Sequence, residues 1–281
     1  MKVSVVIPTY NRADFVVESV KSTLKQTVKP HEVIVIDNGS TDGTEAKLKP
    51  LAKQIIYIKI GPSGRPSVPR NIGIKRATGD IIAFQDDDDR WAPTKIADQI
   101  DAMSDPEVVV SYGNAEVMTV DGKKTGKKIL APGLGKSGKI FTELAMTNFV
   151  STLTVMARRD ALVKAGGFNE TPGLVEDWEL WLRLSRVGTF VYVDKTLAYY
   201  RRHDATISNA LDDGTNNYVL DVYRTILHQP LSSAERSVIH RSISGIYRHR
   251  ATRPKGPMAI ADGVRAVYHR AVAVLLAFSG R

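Results

Sequence analysis

Short apolar runs alternate with helical-period stretches through the first third of the chain. Val3–Ile7, Val33–Ile36, Ile55–Ile60 and Ile81–Phe84 are rich in β-branched residues, which predicts buried strands. Between the first two, Val16, Val17, Val20 and Leu24 fall at helical spacing, and 71–77 reads as a second short helix. Strand–helix–strand alternation predicts an α/β fold with a mainly parallel twisted sheet flanked by helices. Right-handed crossovers then put the loops after the strands on one edge, where open α/β sheets bind ligands.

Val108–Tyr112, Thr152–Ala157 and Phe190–Val193 read as further strands. The Gly- and Lys-rich stretch 121–139 between them reads as a loop or hairpin. Trp178, Trp181, Leu182 and Leu184 give Glu176–Arg186 a helical pattern. After about Asp212 strand signals vanish. The stretches 216–227, 233–249 and 258–278 read as helices, the last two separated by Arg253-Pro254-Lys255-Gly256-Pro257.

The charge follows this division. The net +9 is almost all in the last helical stretch: residues 236–281 carry nine Lys/Arg against Asp262, a net +8. A polyanion or membrane-surface partner is thus expected for the tail, not for the rest. In the last predicted helix Ile260, Val264, Val267, Ala271, Val274 and Phe278 share a face, with Arg265, His269 and Arg270 elsewhere. Such a helix either lies on an anionic membrane or packs on the rest of the chain with its basic side in water. With 281 residues and no cysteine, the chain can build a sizeable core, but it holds no disulfide, thiolate metal site or Cys nucleophile. The start lacks the apolar stretch of a signal peptide, and no run approaches the roughly 18 apolar residues of a membrane span.

Chemistry clusters at the predicted strand ends. Gln85-Asp86-Asp87-Asp88-Asp89 follows the fourth strand. Adjacent carboxylates repel, and a divalent cation relieves the repulsion; a short loop of oxygen ligands suits Mg²⁺ or Mn²⁺. The alternative is a solvated turn in which Asp89 caps a helix near Pro93. Asp37 ends the second strand and leads into Asn38-Gly39-Ser40-Thr41-Asp42-Gly43; it can accept from a base or ribose, or simply form an Asx-turn. Pro8 and Tyr10 follow the first strand, where the ring can pack on a base or fill a loop. Three polar strand ends on one edge suggest a nucleoside diphosphate held through a metal. Arg70 can pair with phosphate and Asn71 with ribose or base; both also fit an ordinary helix start. Glu176-Asp177 beside Trp178 and Trp181 is a candidate general base, or a pair of first-turn acids favouring a helix dipole. His203 can ligate metal, bind phosphate or be structural. The dinucleotide fingerprint, H-E-x-x-H and G-x-S-x-G are absent, and Gly133–Ser137 lacks the first glycine of a P-loop.

In order and spacing these motifs resemble the family 2 glycosyltransferases, inverting enzymes with a GT-A fold. The likeness runs from Val3-Ser4-Val5-Val6-Ile7-Pro8-Thr9-Tyr10-Asn11-Arg12 through Asp37–Thr44, Pro69–Gly73, Ala77–Asp80 and the acidic run with Arg90-Trp91-Ala92-Pro93. It continues through Gly166–Glu170, Glu176–Leu184 and Tyr200-Arg201-Arg202-His203. The resemblance implies a catalytic domain over 1–210, with a nucleotide-binding half about 1–105 and an acceptor half about 106–210, followed by a helical basic extension over 211–281. It implies nucleoside contacts from Pro8, Tyr10 and Asp37, and donor contacts from Arg70, Asn71, Asp86 and Asp87. It implies a D-x-D element with Asp88 as main metal ligand, joined by Asp86 and His203, and a catalytic Glu176–Asp177 pair with Asp177 as base. Gln85 stands where the family often has Leu. The implied partners are a nucleotide-sugar donor, first of all a UDP-sugar, and a carbohydrate or lipid-linked acceptor in cell-surface polysaccharide or glycolipid synthesis. A cytoplasmic enzyme, peripheral on the inner face of the membrane, follows, and no nucleic acid partner. The rival expectations are a sugar nucleotidyltransferase, whose Gly-rich basic N-terminal loop is missing, and a non-catalytic nucleotide- or polyanion-binding protein.

Overall fold

The computed structural model describes residues 1–171, 175–203, 215–251 and 256–279. Each short apolar run becomes a strand. In chain order these are β1 (Val3–Thr9), α1 (Ala13–Leu24), β2 (Glu32–Asp37), α2 (Thr44–Leu48), β3 (Ile56–Lys59), α3 (Ser67–Arg76) and β4 (Ile81–Phe84). Then come β5 (Arg90–Trp91), α4 (Lys95–Ile100), β6 (Val108–Met118), β7 (Lys124–Lys128), α5 (Phe141–Met146), β8 (Met156–Arg158), α6 (Arg159–Lys164), α7 (Glu176–Leu184) and β9 (Thr189–Arg201). The helices α8 (Thr215–Leu227), α9 (Ser233–Ala251) and α10 (Gly256–Ser279) follow.

The strands form one mixed sheet in the order β3-β2-β1-β4-β8-β6-β9-β5, with β7 hairpinned onto β6. The four strands β3, β2, β1 and β4 are mutually parallel, β8 is antiparallel to its neighbours, and β6 and β9 are parallel to each other. Val5, Ile7, Val33, Val35, Ile81 and Ala83 pack with Val16 and Val20 of α1, while Val6, Ile34, Ile36, Ile82 and Phe84, on the other face, are equally buried. Two buried faces are why these strands read as unbroken apolar runs.

Two expected boundaries shift. The strand expected over Thr152–Ala157 begins with a single 3₁₀ turn, Thr152–Thr154, and only then enters β8. Thr154 bonds back to the Ser151 carbonyl through both its amide (2.9 Å) and its hydroxyl (2.8 Å), which offers the backbone an alternative to the ladder. The helix expected from Asn71 starts at Ser67. Pro69 falls in its first turn, where a missing N–H costs nothing because no intrahelical acceptor exists there.

The described residues divide into two compact units. One holds 1–140, 149–171 and 183–203, hence the whole sheet; the other holds 141–148, 175–182, 215–251 and 256–279. In the second unit Trp178 Nε1 donates to Leu144 O (2.8 Å) and the Tyr223 hydroxyl to Ala145 O (2.7 Å). Ser237 and Ser244 of α9 donate to Ala273 O and Ala266 O of α10, both at 2.8 Å, so the two helices run antiparallel. No helix among the described residues is long and apolar enough to cross a membrane.

Candidate active site

Because β2, β1 and β4 are adjacent and parallel, Asp37, Thr9 and Phe84 end at one edge of the sheet, and the loops after them share it. The first two loops are zipped together. Asn11, in the left-handed region at φ 50°, donates from its amide to Ser40 Oγ (2.9 Å) and accepts from Thr41 N (2.8 Å). Asp42 accepts from Ala13 N (2.9 Å). Asn38 Oδ1 accepts from the amide and hydroxyl of Ser63, tying in the loop before α3. Asp37 is fully buried; it closes its own turn by accepting from Ser40 N (2.7 Å) and accepts from the Tyr57 hydroxyl with its second oxygen. Burial and that bond hold the Tyr57 phenol well above its ordinary range. Pro8 lies buried inside β1 opposite Ile36, whereas the Tyr10 ring is 51% exposed at the edge.

The acidic run lies at the same edge and is neutralised by distant arginines. Asp86 Oδ1 is bonded to Arg70 of α3 at 2.7 Å. Asp87 accepts from Tyr10 N at 3.3 Å, with Arg12 at 3.8 Å. Burial pushes its carboxyl up to about 6, assisted by the charge of Asp86 and opposed by Arg12 and Thr9. Asp88 is held between the Arg12 guanidinium and His203 Nε2, the latter at 3.0 Å. The His203 ring stacks on Phe15 of α1, centroids 5.5 Å apart. Asp89 does not cap α4, whose cap position is Thr94. It accepts instead from Arg201 N (2.7 Å), and burial, followed by the charge of Asp86, raises its carboxyl well above the usual range. Buried Arg201 donates to the Asp88 carbonyl (2.7 Å) and pairs with Glu18 (2.6 Å). Gln85 donates to the carbonyls of Asp86 and Asp89 and so fixes the turn from inside.

Pro8, Tyr10, Asp37, Arg70, Asp86, Asp87, Asp88 and His203 are therefore brought together in the first unit. Asn71 is nearby, but its amide is committed to the protein: it accepts from Phe168 N and donates to Phe168 O and Glu170 Oε1, each at 2.8 Å. Glu176 and Asp177 open α7 in the second unit, half-buried, with Asp177 Oδ1 accepting from Trp178 N at 2.6 Å. Sequence reasoning gave no role to Arg12, Arg201 or Gln85. Four neighbouring acids demand counter-charge, and that demand was the available signal for the two arginines.

Among the described residues no three His, Asp or Glu side chains converge as a metal site. Asp88 and His203 nonetheless offer an oxygen and a nitrogen within 3.0 Å of each other. Such a pair fits Mn²⁺ or Mg²⁺, which take few protein ligands and fill the remaining positions with water and phosphate oxygens. Asp86, turned to Arg70, stands beside the pair and not within it.

The sequence profile of glycosyl transferase family 2 matches residues 4–164, more than half of the chain. The chain belongs to glycosyltransferase family 2. An uncharacterized glycosyltransferase of Rickettsia conorii is 32% identical to this family member over 220 residues, 78% of this chain and 34% of its own. The chain thus spans about a third of the length of that relative. WfaP of Escherichia coli, a UDP-Glc:α-D-GlcNAc-diphosphoundecaprenol β-1,3-glucosyltransferase by name, is 32% identical over 210 residues, 73% of this chain and 79% of WfaP. The crystal structure of S. aureus TarS 1–349 in complex with UDP-GlcNAc superposes with a TM-score of 0.73, covering 98% of this chain and 89% of TarS 1–349 at 19% identity. That likeness establishes the fold, and the GT-A architecture implied by the motifs is the one this family 2 member adopts.

Proposed function

We propose that this protein transfers a glycosyl group, with inversion, from a nucleoside diphosphate sugar to an acceptor hydroxyl during cell-surface polysaccharide or glycolipid synthesis. The observation that carries the reading is the convergence of Tyr10, Asp37, Arg70 and the acidic run at one edge of the parallel strands. The exposed Tyr10 ring and the Asp37 loop receive the nucleoside. Arg70, and Arg12 once released from Asp88, hold the diphosphate. Asp88 and His203 are the residues to hold a divalent cation, with Asp86 beside them; when bound it supplies positive charge next to the departing phosphates. Asp177, with Glu176 adjacent, accepts the proton of the acceptor hydroxyl. The hydroxyl oxygen forms its bond to the anomeric carbon as the bond to phosphate breaks, and that electron pair leaves with the nucleoside diphosphate. A single displacement inverts the configuration. A UDP-sugar donor is supported by the UDP-linked names of WfaP and of the TarS complex. A lipid-linked acceptor is supported by the WfaP name, and on that reading the enzyme works at the cytoplasmic face of a membrane.

The test is thermal stability with UDP, GDP, dTDP and CDP, each with and without Mn²⁺. Ligand at about 100 times its Kd adds roughly 2.7 kcal/mol. A Mn²⁺-dependent shift with UDP is expected, lost in Asp88→Asn and kept in Asp177→Asn, which no longer turns over. Turnover retained by Asp177→Asn removes the base assignment, and no shift with any nucleotide removes the donor reading.

A further inference from the structure

The last helix is built inside out. On α10 the small residues Ala266 and Ala273, together with Asp262, are buried on the side that carries the α9 hydroxyl bonds. The large apolar residues face away. Val264, Val267, Tyr268, Val274 and Leu275 are 48–70% exposed, and Ala271 between them is exposed as well. At about 100° per residue these six occupy one continuous arc opposite the buried side, and no polar side chain interrupts it. Arg265 borders the arc on one flank and Arg270 on the other. Arg265 is paired with Asp262 at 3.1 Å, yet it stays 59% exposed. Exposed Arg241 and Arg248 add further positive charge on α9.

We infer that this face of α10 docks the protein on an anionic lipid surface, with Val264, Val267, Tyr268, Ala271, Val274 and Leu275 in the interface and the flanking arginines on the headgroups. The inference deepens the membrane-side location proposed above but rests on α10 alone. Charge decides among occupants. A second copy of the helix would bring an arginine-bordered face against its twin, and the only acids on α9 and α10 are Glu235 and Asp262, the latter buried. A protein interface also mixes hydrogen-bonding groups into its apolar area, and this arc has only the Tyr268 hydroxyl at its margin. A bilayer surface needs none, and it tolerates a tyrosine at its boundary.

The experiment is vesicle flotation of the full chain, with phosphatidylcholine alone and with phosphatidylcholine mixed with phosphatidylglycerol, and no nucleotide present. Binding is expected with the anionic vesicles only, and it weakens toward ~1 M salt, where the Debye length is about 3 Å. Arg265→Gln and Arg270→Gln should each lower vesicle affinity about fivefold. The double variant Val267→Asp/Leu275→Asp alters only exposed positions and should keep its melting temperature while losing flotation. Three results overturn the inference: no binding to anionic vesicles, binding unchanged in the double variant, or a wild-type dimer that the double variant converts to monomer. Because flotation reads neither donor binding nor transfer, its failure is distinct from failure of the proposed activity.

Discussion

Gly73 sits on the face of α3 that packs against β1, three residues after Arg70. A Cβ built there would lie 2.3 Å from Val6 Cγ1 and 2.8 Å from Cγ2. Carbon contacts are optimal at about 3.5–4.0 Å, so α3 has to retreat by roughly 1 Å in Gly73→Ala. Val6 cannot yield, being fully buried and stiff about χ1. Overpacking of this kind costs about 1–3 kcal/mol, and the better helix propensity of alanine returns roughly 1 kcal/mol. The single variant should thus lose up to about 2 kcal/mol.

Removing the obstacle reverses the sign. Val6→Ala deletes both γ-methyls and costs about 1.6 kcal/mol of transfer energy plus a cavity term. In that background only the Val6 Cβ, which alanine keeps, stays tight at 3.1 Å; a shift of a few tenths of an ångström relieves it, and Gly73→Ala, filling part of the cavity and keeping its propensity gain, should stabilise by up to about 1 kcal/mol. Urea unfolding of the four proteins closes the cycle, and hydrogen exchange of the β1 amides assigns the loss to the first unit. A coupling of about 1–3 kcal/mol is expected. Additivity within about 0.5 kcal/mol, or the same sign of Gly73→Ala in both backgrounds, refutes the steric argument. The site provides a second readout. Retreat of α3 draws Arg70 from Asp86, now at 2.7 Å, so nucleotide-induced thermal stabilisation should shrink in Gly73→Ala and recover in the double variant.

Lys95 is fully buried, bonded to Gln99 Oε1 at 2.7 Å and 4.3 Å over the Trp91 ring, and burial holds its amine well below the usual range. Lys95→Met removes the buried amine but leaves Gln99 Oε1 without its donor, which takes back about 1–3 kcal/mol, so a net gain of at most about 3 kcal/mol is expected near neutrality. Its folded pKa lies below the unfolded one, so the penalty it removes fades as pH rises toward about 10.4, and urea midpoints should show the gain shrinking there. His240 of α9 meets His269 of α10, Nδ1 to Nδ1 at 2.7 Å; burial first, then His269 and Arg236, bring its pKa to about 4. The unfolded chain binds the proton earlier, so stability is full above about 6.5 and falls as pH drops toward about 4; His240→Leu should flatten that slope in circular-dichroism melts. Asn71→Ala removes the side-chain partner of the Phe168 amide and carbonyl and should cost about 1–3 kcal/mol, with faster proteolysis near 166–170. Asn71→Asp keeps the acceptor for the Phe168 amide but sets a carboxylate oxygen against Phe168 O and Glu170 Oε1, so it should destabilise at least as much as Asn71→Ala.

The parallel half of the sheet was legible because β1, β2 and β4 are buried on both faces, where a short β-branched run has no other use, and the half-buried edge strand β3 keeps the same run. β4 coincides with its expected range, and β1 and β2 differ only at their ends. Legibility fell where local bonding competed, as at Thr154, or where a proline disguised a helix start, as at Pro69. It fell also at β5, two residues long, which exists because Arg90 and Trp91 pair with Tyr199 and Ala198 of β9. A strand that short is created by its partner.

The site divides the same way. Its negative half was legible because the four acids are contiguous and only strand chemistry precedes them. Its positive half was not, because Asp88 meets Arg12 across 76 residues and His203 across 115, and Asp89 meets Arg201 across 112. No local pattern marks an arginine that leaves its own loop to neutralise a distant carboxylate. Yet the sum was forced. Four carboxylates packed at a buried edge cannot all stay ionised without cations near them, and where arginines fall short the protein responds by holding the proton. Asp86, beside Arg70, and Asp88, beside Arg12, have close cationic partners. Asp87 is 3.8 Å from its arginine, and Asp89 takes only a backbone N–H from Arg201; these two have the raised pKa values. The acids with close side-chain cations are thus those already balanced for exchange, an arginine for the charge of a ligand. Asp87 and Asp89, whose carboxyls burial raises, shape the turn by accepting backbone N–H groups from Tyr10 and Arg201.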